Sequence, residues 1–303
     1  MVNQPGLASD PPVVADPALL LTAAVARLAT TLGVRLLVIK GITAAVYGLR
    51  PAHTSSDVDV LVSHDDYGSL IAGLEERGWR RRAHDPDTDT FPLHSASLYH
   101  PEWSVDVDVH FRYPGLEADG DVFESIWAQR TVMWCGNQRV CIPGLADAIM
   151  IGAVHAIRSR FSRRHRDELD YLVVRCADMD VALLLRRARE LGALATARPF
   201  LERLKPFDAD FAWGEASAEW RLRTEFPEAA ERRALLWRRA TPRQRLTKLR
   251  LALFPPPAAL VKETTRTRLG AVQLAGGYLR RWVRGVKALP KALAVLADDR
   301  RER

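Results

Sequence analysis

Two short segments of this chain alternate acids with branched apolar residues. Residues 57–62 read Asp-Val-Asp-Val-Leu-Val, and residues 104–111 read Ser-Val-Asp-Val-Asp-Val-His-Phe. A period of two is the period of a β-strand, so Asp57 and Asp59 share one face while Val58 and Val60 share the other. In the second segment Asp106, Asp108 and His110 share a face, opposite Val105, Val107, Val109 and Phe111. Like charges at that spacing repel, and burying them unpaired is costly. One such strand is ordinary on a solvated surface. Two within one small region point instead to carboxylates that converge across a sheet on metal ions. Hard oxygen donors suit Mg2+. Two ions about 3.5–4 Å apart could activate a hydroxyl and stabilise the leaving oxygen of an in-line displacement.

The surrounding pattern alternates strands and helices. Leu20–Leu32 has helical spacing, residues 34–40 (VRLLVIK) form a short strand, and Gly41 turns the chain into a two-turn helix. After the strand Asp57–Val62, Asp65 and Asp66 open a helix that Gly78 stops. Residues 79–83 read as a strand, residues 84–90 as a polar loop, and further strands are expected around Ala96–His100 and Ser104–Arg112. From Pro143 the texture becomes helical, with Ile151, Val154, Ile157 and Phe161 on one side of the first helix. The expected class is α+β: a lead-in over residues 1–16, a small mixed-sheet domain over 17–142, and a helical domain over 143–303. In the tail, Leu269, Val272, Leu279, Trp282, Val286 and Leu289 form an apolar stripe expected to dock on the protein. The tryptophans at 79, 103, 127 and 134 are expected in the core, and His155 is expected as a hydrogen-bonded core histidine, with the cleft as its alternative.

Charge divides along the same line. Residues 1–150 hold 11 Lys/Arg against 19 Asp/Glu, whereas residues 151–303 hold 33 against 18. An acidic half beside a basic half suits a metal-and-phosphate site between two lobes, although a solvated basic surface gives the same count. The basic stretch Arg158–Arg166 reads most simply as a solvated helix end, with a hold on phosphates or an acidic acceptor as its alternative. No apolar run is long enough to span a membrane. Three cysteines without a CxxC pair fit a reducing cytoplasm and do not fit a zinc site.

A phosphate-holding turn precedes the first acidic strand. Lys40 and Gly41 lie between strand and helix, where glycine admits close backbone approach and lysine adds a point charge. Strand, glycine turn, helix, Asp-x-Asp strand and a later acidic strand together resemble the DNA polymerase β-like nucleotidyltransferase superfamily. Within it, the stretches LLVIKGITAAVYGL, SSDVDVLV and VDVDVHFR resemble the bacterial family of uncharacterised nucleotidyltransferases. That resemblance implies Asp57, Asp59 and Asp108 as metal-binding and catalytic carboxylates, Asp108 being the acid two residues before His110. It implies Lys40 and Gly41 against the triphosphate, with Ser55 and Ser56 assisting. It also implies Mg2+, a nucleoside triphosphate such as ATP as co-substrate, and a small-molecule or peptide acceptor. Two positions depart from the pattern: Ile42 follows the glycine where relatives carry Ser or Gly, and His53 stands where relatives carry arginine. Two rivals share these residues: a toxin-like transferase acting on tRNA, and a non-catalytic protein that binds metal or ligand in the acidic pocket. Changing Asp59 to Asn is expected to abolish turnover and to relieve carboxylate repulsion in the metal-free protein.

Overall fold

The computed structural model describes residues 16–51, 55–82, 91–226, 234, 237, 241–254, 275–287 and 290. Residues 1–15 of the lead-in, His53, the 84–90 loop and the tail residues Leu269, Val272 and Leu289 lie outside the described residues.

The chain enters through α1 (Pro17–Leu32), which Asp16 caps by accepting from the Ala18 N–H and which Gly33 ends in the left-handed region. Strand β1 (Leu36–Ile39) is buried along its whole length. Lys40 then turns the chain into α2 (Gly41–Val46). Strand β2 (Asp57–Val62) is followed by Ser63, which caps α3 (His64–Glu75), with Asp65 and Asp66 in its first turn. Strands β3 (Arg80–Arg81), β4 (Ser95–Tyr99) and β5 (Asp106–His110) complete a five-stranded sheet of order β1-β2-β5-β4-β3. Only β2 and β5 run parallel; the remaining pairs are antiparallel.

Sequence reading left residues 113–142 without structure, yet they hold α4 (Val122–Ala128) and a hairpin of β6 (Thr131–Cys135) and β7 (Gln138–Ile142). Gly136 and Asn137 both have positive φ, the two-residue turn that matches strand twist. The hairpin lies against α1 and β1.

The helices that follow are α5 (Leu145–Arg158), α6 (Arg163–Arg175), α7 (Val181–Glu190), α8 (Arg198–Leu204) and α9 (Ala218–Glu225). Pro242–Leu253 and residues 275–287 are helical too. Helix α5 is the centre of this part. Ile151, Val154 and Ile157 are buried as expected, but Phe161 lies beyond the helix end and is 44% exposed.

Two apolar clusters flank the sheet. Val58, Val60, Val107 and Val109 pack on Leu21, Val25, Leu70 and Ile71 of α1 and α3. On the opposite face Leu37, Ile39 and Leu61 join Ile149, Val154, Leu184 and Phe200 in one core, which therefore crosses residue 142. Trp79 is buried, whereas Trp134 is 70% exposed on the hairpin edge. In the tail Leu279, Trp282 and Val286 are exposed, contrary to the docked stripe. Trp282 does donate to the Leu253 carbonyl at 2.8 Å and meets Phe254 edge-on. Among the described residues no helix is long and apolar enough to cross a membrane.

Candidate active site

The parallel pairing of β2 with β5 builds the acidic face. Asp57 stands opposite Asp106, and Asp59 opposite Asp108. The valines between them fill the α1–α3 core, so all four carboxylates turn toward α5 and its neighbours.

The four acids are not equivalent. Asp106 is held by the guanidinium of Arg82, which reaches over from the end of β3 and makes two contacts. Asp59 is buried and accepts from the Lys40 ammonium and, at 3.0 Å, from His110 Nε2. Burial opposes its charge, but Lys40 and His110 outweigh that and hold its carboxyl far below the usual range. Since Asp59 is ionised, His110 donates from Nε2, and burial keeps the imidazole neutral. Asp108 has no such cation. Burial and the neighbouring Asp59 charge push its carboxyl up to about 6, against a hydrogen bond from Ser97. Burial and Asp59 raise Asp57 as well. An Asp59→Asn change would relieve Asp57 and Asp108 of a neighbouring charge as expected, but it would also take the paired anion from buried Lys40. Asp59 already has its counter-charge, and Asp108 is the carboxylate that lacks one.

Lys40 reaches Asp59 through an unusual backbone. Its φ is 55°, in the region that favours glycine, and it directly precedes Gly41. Burial disfavours its ammonium, but the Asp59 carboxylate more than compensates and raises its pKa. The ammonium also lies 5.9 Å from the ring centre of buried Tyr113. A side chain at residue 41 would meet Ser55 Oγ at 2.9 Å, so glycine lets the Ser55 hydroxyl keep its place against the turn.

A cavity of about 250 Å³ opens beside these groups. Lys40, Gly41, Ser55, Ser56, Asp57 and Asp59 form its sheet wall; His155, Arg164, His165 and Glu168 belong to its helical wall. All predicted site residues but Asp108 thus border one space. Asp108 sits one strand further in, its carboxylate close to Asp59 and His110, with donor atoms of all three within 4.8 Å of one another. His155 faces the cavity with an unpartnered Nδ1, so it is not the hydrogen-bonded core residue expected. Within the basic stretch, Arg164 and His165 border the cavity, while Arg160 and Arg163 are exposed. Sequence reading missed the pairings of Lys40 and His110 with Asp59 and of Arg82 with Asp106. It also missed His165 and Glu168, whose three-residue spacing on a helix was the available signal.

Residues 13–205 match the uncharacterised nucleotidyltransferase family. The chain belongs to that family. No curated protein matches it significantly. Solved structures similar to it include the lincosamide antibiotic adenylyltransferase LnuA with lincomycin bound (12% identity, 52% of this chain and 96% of that one, TM-score 0.37). An antigenic nucleotidyltransferase-like protein from Paracoccidioides brasiliensis has 13% identity, covering 62% and 95%, with a TM-score of 0.35. ANT(2")-Ia in complex with adenylyl-2"-tobramycin has 13% identity, covering 62% and 98%, with a TM-score of 0.39.

The acidic face of this nucleotidyltransferase fits a hard divalent cation. Its donors are carboxylate oxygens, and burial and Asp59 raise Asp57 and Asp108 despite nearby Lys40, which marks negative charge only partly offset by the surrounding side chains. Asp59 and Asp108 already lie close enough to share one centre, with Asp57 on the same face.

Proposed function

We propose that the protein transfers a nucleoside monophosphate from a nucleoside triphosphate to a hydroxyl of a small-molecule or peptide acceptor. The acceptor oxygen forms a bond to the α-phosphorus, and the bond from that phosphorus to the bridging oxygen breaks. Pyrophosphate leaves with the electron pair, and the hydroxyl proton passes to a carboxylate of the same face. Asp57, Asp59 and Asp108 would hold Mg2+, which when bound neutralises charge on the phosphates and lowers the cost of the attacking oxygen's ionisation. Lys40, the Gly41 N–H, Ser55 and Ser56 would bind the triphosphate, and Lys40 would pass from Asp59 to a phosphate oxygen as the nucleotide arrives. The helices after residue 143 would form the acceptor lobe. The observation that carries this reading is the Asp59–Asp108 pair on adjacent parallel strands, with Asp59 and the lysine-glycine turn bordering one cavity.

The test is transfer of label from α-labelled NTPs to candidate acceptors with Mg2+, using Asp59→Asn and Asp108→Asn as controls. Label on the acceptor that both variants abolish supports the reading. Salt-sensitive labelling of tRNA would instead favour the toxin-like rival. Nucleotide binding without transfer to any acceptor would leave the non-catalytic rival standing.

A further inference from the structure

The helical wall of the cavity carries a second set of ligating side chains that nucleotidyl transfer does not use. His155 lies in the last turn of α5; His165 and Glu168 lie three residues apart on α6 and so share one face. The turn between the two helices folds α6 back on α5, and ligand atoms of the three residues come within 4.8 Å of one another. The two imidazole rings are 5.1 Å apart. The Nδ1 atoms of both histidines are buried without a hydrogen-bond partner among the described residues. Two polar atoms left unsatisfied side by side, next to a carboxylate and an open cavity, describe a centre whose occupant is a separate species.

We propose that His155, His165 and Glu168 form a second cation site, for a borderline transition metal of the zinc class. Two imidazole nitrogens and one carboxylate oxygen leave a fourth position open to the cavity. The donor set itself separates this site from the acidic face opposite, because Mg2+ takes oxygen ligands whereas imidazole suits zinc, cobalt and nickel. Burial holds both imidazoles neutral, the form that ligates; Lys40 and Arg158 lower His155 further. Arg164 donates to Glu168 Oε1 at 3.0 Å, which holds the carboxylate beside the two imidazoles. Lys40, Arg158 and Arg164 oppose a cation here, while Asp57 and Asp59 across the cavity and Glu168 itself favour it. The expected site is therefore exchangeable.

The proposal stands without the transfer reading, and its test does not use turnover. The full chain is stripped with chelator and titrated with Co2+ as a spectroscopic probe, with excess Mg2+ present to fill the acidic face. One equivalent with visible d–d bands of a low-coordinate, nitrogen-ligated ion is expected, displaced by Zn2+. His165→Ala and Glu168→Gln should each weaken binding about tenfold or more, and Asp108→Asn should leave the spectrum unchanged. Imidazole 15N shifts of His155 and His165 should move on Zn2+ addition. Melting curves of the metal-free variants separate loss of ligands from loss of fold, and the isosteric Glu168→Gln serves if His165→Ala is unstable. Absence of d–d bands, or Co2+ binding unaltered in Glu168→Gln, would overturn the site. So would loss of binding in Asp108→Asn alone, which would assign the ion to the acidic face.

Discussion

Replacing Asp108 by Asn should stabilise the metal-free protein while abolishing transfer. The Asn keeps the shape and removes a charge that burial and Asp59 make unfavourable. A carboxyl raised from 3.8 to about 6 corresponds to about 3 kcal/mol at 1.36 kcal/mol per pH unit. Partial solvent access reduces that to about 2 kcal/mol. For a chain of this size the gain is about 4 °C in melting temperature. The sign with pH follows from linkage. The folded carboxyl binds its proton more tightly than the unfolded one, so wild-type stability falls as pH rises from about 4 to above 6. The advantage of the variant should therefore be full at pH 7.5 and close to nil at pH 4. Asp59→Asn should do the opposite. It leaves the Lys40 ammonium, only 15% exposed, without its anion, at a cost of about 3–5 kcal/mol. Thermal melts of the three proteins in EDTA across that pH range decide the matter. An Asp108→Asn protein that melts below wild type at pH 7.5 would refute the assignment of unrelieved charge to Asp108.

Asp106→Asn should retain transfer within a few-fold, because its carboxylate is already bound to Arg82 rather than free for the active site; a loss comparable to Asp108→Asn would reverse that assignment. Gly41→Ala should raise the KM for nucleotide, since the new Cβ would sit 2.9 Å from Ser55 Oγ and push that hydroxyl aside; an unchanged KM in steady-state kinetics would refute it. Arg187→Met should destabilise by about 3–5 kcal/mol, because Arg187 Nε donates at 2.7 Å to Asp147, which is 1% exposed. Denaturant melts would measure it.

What the sequence disclosed was whatever a local period carries. Alternation alone located β2 and β5 and put Asp57 with Asp59 and Asp108 with His110; the family resemblance brought the lysine-glycine turn to them. It could not tell Asp106 from Asp108 by charge, because the residue that distinguishes them, Arg82, arrives from β3 through tertiary pairing. Nor could it show that Asp59 is neutralised from within, which depends on a positive φ at Lys40. The hairpin at 131–142 went unread, although Gly136-Asn137 between β-branched and aromatic residues was its available signal. The opposite wall was hidden for a different reason. His155, His165 and Glu168 are ordinary helix residues until the α5–α6 turn brings them together, and no period encodes that approach.

The core that crosses residue 142 governs how substrates gain entry. Leu37, Ile39, Leu49 and Leu61 bury their side chains among residues of α5 to α9. Prising the sheet from the helices would expose them, at about 1.5–3 kcal/mol each. The total rivals the whole stability of an ordinary domain, so rigid-body opening at this seam would amount to unfolding. On the proposed function, nucleotide and acceptor would therefore exchange through the cavity mouth, by local rearrangement of exposed Ser56 and Arg164 and half-buried His165. A fragment ending at residue 142 would expose the same leucines to water, and should aggregate rather than fold.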